Sequence, residues 1–192
     1  TLPLVHTVDP VTGRANLGIY RLQRYDAGST GMHWQIEKGG GFHFARAKEK
    51  GESLRVSVIL GGPPALTLAA IAPLPEGIDE RLLASFIMDS PLAVILRPGG
   101  HRIPADAEFV LEGTVAPGDE QREGPFGDHL GHYSHSADFP VFRVERVLAR
   151  QNAIYPATVV GKPPQEDYYI GEALQEMTLP LLRAIKPGIS DL

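Results

Sequence analysis

The chain predicts an α+β fold: a mainly antiparallel sheet with helices at its periphery and one long helix at the C-terminal end. Three observations carry this reading. β-favouring runs follow one another with helical stretches inserted irregularly, whereas a doubly wound parallel sheet would place a helix after every strand. The 17 prolines and 21 glycines bracket short runs, which suits a barrel better than an open parallel sheet. Residues 166–185 carry apolar side chains with helical periodicity.

Taken in order, "NLGIYRLQRY" (16–25) and "GMHWQI" (31–36) read as strands, with "DAGST" supplying the turn chemistry of a hairpin-like connection. "FHFARAKEK" (42–50) reads as a short helix stopped by Gly51. "LRVSVIL" (54–60) is a strand. "GGPP" breaks it into a helix from about 65 to 71, whose prolines suit a first helical turn. "DERLLASFIM" (79–88) is a further helix, opening on acidic residues that favour its positive end. Strands follow at 92–96, 107–115, 141–149 and 153–160, and the helix 166–185 is expected to kink at Pro180.

A length of 192 residues and a hydrophobic content of 43% fit one folded domain spanning 1–192. The net charge of −5 gives no general attraction to nucleic acid or anionic membranes. No apolar run reaches the ~20 residues that a membrane span requires, and "TLPLVHTVDP" lacks the zones of a signal peptide. Cysteine is absent, which removes disulfide and thiolate chemistry and makes a cytoplasmic setting the default expectation. With no initial Met and a close just after a helical pattern, the sequence reads as a piece of a longer protein.

The stretch "EGPFGD" holds Glu123 and Asp128 in a frame of glycine, proline and phenylalanine. Two readings stay open: a solvated surface turn, or a pair of acids fixed for proton transfer, one raised in pKa by apolar surroundings. "HLGHYSH" spaces His129, His132 and His135 by three. On a helix they would form a metal face for hydrolysis, but Gly131 argues against helix and favours solvated imidazoles. Asn16, His33 and a later acid make a mixed nitrogen and oxygen set suited to Mn²⁺ or Mg²⁺. Arg21 offers a fork for a carboxylate. On a regular strand Asn16 and Arg21 face opposite sides, so one site needs a bulge near Gly18 or a strand starting after it.

Together and in this order, "TLPLVHTVDPVTGRANLGIYRLQRYDAGSTGMHWQIEKGG", "PADAEFVLEGTV" and "EGPFGDHLGHY" closely resemble UbiD-type decarboxylases, the polyprenyl-hydroxybenzoate carboxy-lyase family. The resemblance covers almost the whole chain but only the middle domain of a family member, without the N- and C-terminal domains. It implies a split β-barrel of the flavin-reductase type that binds prenylated FMN, or FMN. It implies a divalent metal, Mn²⁺ or Mg²⁺, on Asn16, His33 and Glu80, with K⁺ beside it on carbonyls near 69–72. Cofactor contacts would come from Ile19, Tyr20, Arg21, His33, Trp34, Gln35, Lys38 and Gly39. Glu37 departs from the pattern, standing where a basic or neutral residue is expected.

Arg21, Glu123 and Asp128 match the family's catalytic set. The activity implied is non-oxidative decarboxylation of a small aromatic or α,β-unsaturated carboxylic acid, with a flavin prenyltransferase supplying the cofactor. Flanking domains or a second copy would dock on exposed apolar surface. The other reading of the same residues is a non-catalytic flavin- and metal-binding module that needs those domains, or a partner chain, for turnover.

Overall fold

The computed structural model describes residues 1–34, 39–75, 77–127 and 131–189. Its main sheet has six strands in the order β2 (Ala15–Ile19), β1 (Leu4–Val8), β4 (Leu54–Leu60), β7 (Phe109–Glu123), β8 (Ala137–Ala149) and β3 (Ser29–Gly31). Every pairing in it is antiparallel. β5 (Val94–Arg97) and β6 (His101–Pro104) form a separate hairpin. The helices are α1 (Gly39–Glu49), α2 (Pro64–Ile71), α3 (Glu80–Ile87) and α4 (Glu166–Ile185).

Alternation along the strands supplies both faces of the sheet with apolar side chains. Val5, Val56, Val58, Val115 and Phe142 join Met32, Trp34 and Ala47 of α1 in one core. Leu4, Leu17, Ile59 and Val110 pack with Ala65, Leu66 and Ala69 of α2, Ala84 of α3 and Ile103 of β6 in the other. α3 starts where Asp79 caps it, its carboxylate accepting from the Arg81 N–H at 3.0 Å. That cap fixes where the next residue, Glu80, enters.

The ends of the sheet, β2 and β3, are not joined by a continuous ladder. They meet instead through isolated bridges, Arg21↔His33 and Arg24↔Thr30, which join the segment after β2 to β3 and the residues just beyond it. Beside this seam β7 runs past its pairing with β4. Its register against β8 slips at Glu112/Gly113 and between Val115 and Glu120, and the far end then pairs Glu123 with Ala137. The irregularity bends β7 so that its last residue reaches the seam.

Several sequence expectations are corrected here. β2 stops at Ile19 with an unbroken register, Val5 opposite Gly18, so no bulge occurs at Gly18 and Arg21 lies beyond the ladder. The face-parity conflict between Asn16 and Arg21 therefore does not arise. Residues 153–160 form no strand: Pro156 interrupts the run, and Ile154, Tyr155, Val159 and Val160 are exposed. α1 begins at Gly39, ahead of the expected 42. β1 and β6 were not anticipated.

Candidate functional site

Two groups of polar residues lie at the two ends of the segment 16–21. The first surrounds a cavity of about 730 Å³, inside the ~300–1,000 Å³ range of small-molecule and cofactor sites. Asn16, Glu80, His43, Asp9, Arg14 and Arg46 supply its polar wall. Glu80 Oε2 accepts the N–H of Leu17 at 3.1 Å, a donor on the outer edge of β2. Burial pushes the Glu80 carboxyl up from its ordinary value, and the Leu17 N–H only partly offsets this. A bound cation would reverse that tendency.

His43 projects from α1 with Gly39, Phe42 and Arg46, a stripe at helical spacing along the cavity. Its Nδ1 lies 2.8 Å from Thr7 Oγ1. With Nδ1–H donated to that hydroxyl, Nε2 keeps its lone pair. Burial, ahead of the Arg46 charge, pushes the imidazole pKa down and favours the neutral form that ligates metals. Arg46 is paired with the buried Asp9, whose carboxylate also accepts from Val11 N–H and Thr12 Oγ1.

The second group stands at the barrel seam. Arg21 donates to both oxygens of Glu123, Nε to Oε1 at 3.2 Å and Nη2 to Oε2 at 2.8 Å. His33 Nδ1 lies 2.7 Å from the same Oε2 and 2.7 Å from Arg21 Nη2. One nitrogen cannot both donate to the carboxylate and accept from the guanidinium, so the His33 tautomer selects between the two contacts. Glu123 is 1% exposed. Burial alone would raise its pKa, but hydrogen bonds from Arg21 and His33 and their charges outweigh it, and the carboxyl is held below its ordinary value. Phe126 lies 4.6 Å from the Arg21 guanidinium and Phe139 stacks on the His33 ring at 4.0 Å.

The expected site residues therefore divide. Asn16, Gly39 and Glu80 face the cavity. Arg21 and Glu123 meet as a pair, and the His33 side chain joins them, at the other end of the segment 16–21 from the expected metal ligands Asn16 and Glu80. Tyr20 links the two groups: its hydroxyl accepts from Gly40 N–H at 3.0 Å and lies 3.5 Å from Asn16 Nδ2. Ile19 is half-buried against the α2 side, and Trp34 is buried in the α1-side core. Gln35, Glu37, Lys38, Asp128 and His129 lie outside the described residues. Gly131 has a positive φ of 86° and no helix holds His132 and His135, so the helical histidine face is not formed. Among the described residues no group of three or more His, Asp and Glu side chains is placed to hold a metal ion.

A flavin with a bridging cation fits these residues on three counts. Asn16, Glu80 and His43 make the mixed oxygen and nitrogen donor set of a hard or borderline divalent ion. A Cβ on Gly39 would sit 1.8 Å from Asn16 Oδ1, and one on Gly40 would sit 2.9 Å from Trp34 Nε1, so both positions require bare backbone. Trp34 Nε1 is itself buried without a hydrogen-bond partner. His43 was not singled out from the sequence, where its signal is its place one helical turn after Gly39 and one before Arg46.

These features define the class first. A putative flavin reductase with a split barrel domain from Shewanella frigidimarina shares the fold, with a TM-score of 0.51 at 11% identity over 81% of this chain and 72% of its own. The 3-octaprenyl-4-hydroxybenzoate carboxy-lyase Rift-related domain matches residues 1–163, and the chain belongs to this UbiD family. A protein from Chlamydia pneumoniae named as a subunit of 4-hydroxybenzoate decarboxylase is 50% identical over 191 residues, 98% of this chain and 32% of its own length. An uncharacterized Chlamydia trachomatis protein is 49% identical over all of this chain and 34% of its own.

Among solved structures, the UbiD-class enzyme HmfF from Pelotomaculum thermopropionicum in complex with prFMN has a TM-score of 0.87 at 28% identity. It is covered over 44% of its chain, and this chain over 100%. The closed form of Sedimentibacter hydroxybenzoicus vanillic acid decarboxylase, at 24% identity and a TM-score of 0.92, shares the fold over 100% of this chain and 42% of its own. The chain thus spans about a third of the curated relatives it matches.

Proposed function

We propose that the chain is the cofactor-bearing domain of a prenylated-FMN-dependent decarboxylase that acts on an aromatic or α,β-unsaturated carboxylic acid. The observation that carries this reading is the fork of the half-buried Arg21 on the buried Glu123, at the seam of the sheet and one strand segment away from the Asn16 and Glu80 cavity. HmfF, a relative of the same class, holds prFMN.

Loss of CO₂ from an sp² carbon leaves charge with no conjugated sink in the protein, and the modified flavin when bound supplies that sink. Asn16 and Glu80 would hold Mn²⁺ or Mg²⁺ against the cofactor phosphate, with an imidazole from His43, which shares their cavity, or from His33, which the resemblance implies. The carbonyls at 69–72, close to the cavity wall at Ala72, are the candidates for K⁺. Arg21 would orient the substrate carboxylate. Glu123, held ionised, keeps the guanidinium aimed. The proton that replaces CO₂ at carbon would come from Asp128, which stands five residues beyond the acid that the fork keeps charged. A flavin prenyltransferase is the implied supplier of the cofactor.

A second reading is favoured by the share of the relatives that the chain covers: a flavin-holding module that gains turnover only with further domains or a partner chain. CO₂ release and solvent-deuterium incorporation, measured on cofactor-loaded protein with and without those domains, separate the two. Arg21→Ala and Asp128→Asn are each expected to lower turnover by about 10²–10⁴-fold. Full activity in both variants would refute the assigned roles.

A further inference from the structure

The end of β7 that carries Glu123 has one edge paired to β8, while its other edge lies beyond the reach of β4, whose pairing stops at Val115. Two side chains from the segment that follows β2 hydrogen-bond the backbone here. Gln23 Oε1 accepts the N–H of Gly124, the residue directly after Glu123, at 2.7 Å. Tyr25 donates its hydroxyl to the carbonyl of Gln121, two residues before Glu123, at 3.0 Å. Gln23 and Tyr25 are two apart and so share one face of their extended segment. Together they bracket Glu123 on both sides.

The bracket is itself anchored. The Gln23 carbonyl accepts from Gly31 N–H at 2.7 Å, between the bridges Arg21↔His33 and Arg24↔Thr30. Gly124 turns the chain immediately after Glu123 at a φ of 82°. Phe126 then returns over the guanidinium, its N–H donating to Ser134 Oγ and its carbonyl accepting from Ser134 N–H. A fork-to-fork contact tolerates little displacement, and it joins residues 102 apart in sequence.

We infer that Gln23 is a positioning residue for the proposed decarboxylation: its amide oxygen clamps the Gly124 turn and so sets the Glu123 carboxylate square to the Arg21 guanidinium. This rests on the reading of Arg21 and Glu123 given above. Gln23 touches neither substrate nor cofactor in that reading, and it acts through the backbone next to Glu123.

The test compares flavin-loaded wild type with Gln23→Met, which keeps length and shape but removes the amide oxygen. The Arg21 Nε–H resonance reports the fork without any turnover. In Q23M its hydrogen exchange is expected to quicken about tenfold or more, as for loss of a hydrogen bond of about 1.4 kcal/mol or above. kcat is expected to fall about 10- to 100-fold with KM and flavin retention nearly unchanged, as for an angstrom-scale misplacement. A purely stabilising role would lower the melting temperature and leave the resonance and kcat as in wild type, and that result overturns the inference.

If Q23M does not fold, Tyr25→Phe releases the other side of the bracket by one hydroxyl, and the same resonance decides. A resonance that responds in a protein with no decarboxylase activity, even with the further domains supplied, supports the clamp and refutes the functional reading. Activity lost in Arg21→Ala but untouched in Q23M refutes the clamp alone.

Discussion

At the scale of single residues, the site is organised by close approaches that only particular side chains permit. Gly39 is the sharpest case. Asn16 Oδ1 occupies the space where a Cβ at 39 would stand, at 1.8 Å, so an alanine there must push the carboxamide away from the cavity. Gly39→Ala is expected to weaken Mn²⁺-dependent flavin binding on the order of 10-fold, the size of effect seen when groups supporting a metal ligand are lost. Flavin retention titrated against Mn²⁺ measures it, with melting temperature as the control for folding. Equal retention by mutant and wild type would remove Asn16 from the metal site. Glu123 teaches a second lesson at this scale: a carboxylate 1% exposed is held ionised because two donors face it, so burial and charge need not be opposed.

At the scale of elements, β7 and β8 do the positioning. β7 pairs with β4 over its first half and bends at the register slips before delivering Glu123 to the seam. Gly113 sits at the first slip, where a Cβ would lie 1.9 Å from the Arg143 carbonyl oxygen and 2.9 Å from the Phe142 ring. Neither the backbone of the partner strand nor that fully buried ring can yield without unpicking the ladder. Gly113→Ala is expected to cost about 3 kcal/mol or more, at the severe end for overpacking. Urea titration followed by circular dichroism checks it, and a loss below about 1 kcal/mol would mean that the bend is soft. α3 is tied to the same purpose, since its Asp79 cap sets the entry of Glu80 beneath the β2 edge.

At the scale of the molecule, the two sides of the sheet differ in chemistry. Between β1, β4 and β6 lies a polar seam inside the fold, with His6 and His101 each 1% exposed and their rings 4.7 Å apart. Ser57 Oγ meets His101 Nδ1 at 2.8 Å. Burial, then neighbouring positive charge, pushes His101 down to about 4 from 6.5; for His6, burial and then His101 itself push it to about 3. An unfolded chain binds these protons below pH 6.5 while the folded one does not, so stability falls as pH drops through that value. His101 alone is expected to cost about 2 kcal/mol of stability between pH 7.5 and pH 5. Urea unfolding at the two pH values reads it directly. His101→Gln, able to keep a bond to Ser57, should remove about half of the dependence and leave the share of His6, and a flat profile in wild type would show the pair to be solvated. On the outside, Leu82 and Phe86 of α3 and Leu96 of β5 are 65%, 83% and 71% exposed. Among the described residues no helix is long and apolar enough to cross a membrane.

Local pattern alone determined much here. The run 54–60 is rich in β-branched residues and is a strand over just those residues, and 166–185 is a helix over just its periodic span. The motifs around Arg21 and Glu123 sufficed to point to the family. What pattern could not carry was anything set by a partner element. β6 contains Pro104 and only four residues, and it exists because β5 lies beside it; 153–160 has strand composition but no strand to pair with. Likewise His33 and His43 are indistinguishable as isolated imidazoles. The seam bridge to Arg21 sends the first to Glu123, and the helical turn after Gly39 sends the second to the cavity. The sequence by itself determined which residue types and which family; tertiary structure decided which of them meet, because contacts between residues about a hundred positions apart follow strand order and register, and these are fixed only when the whole sheet closes.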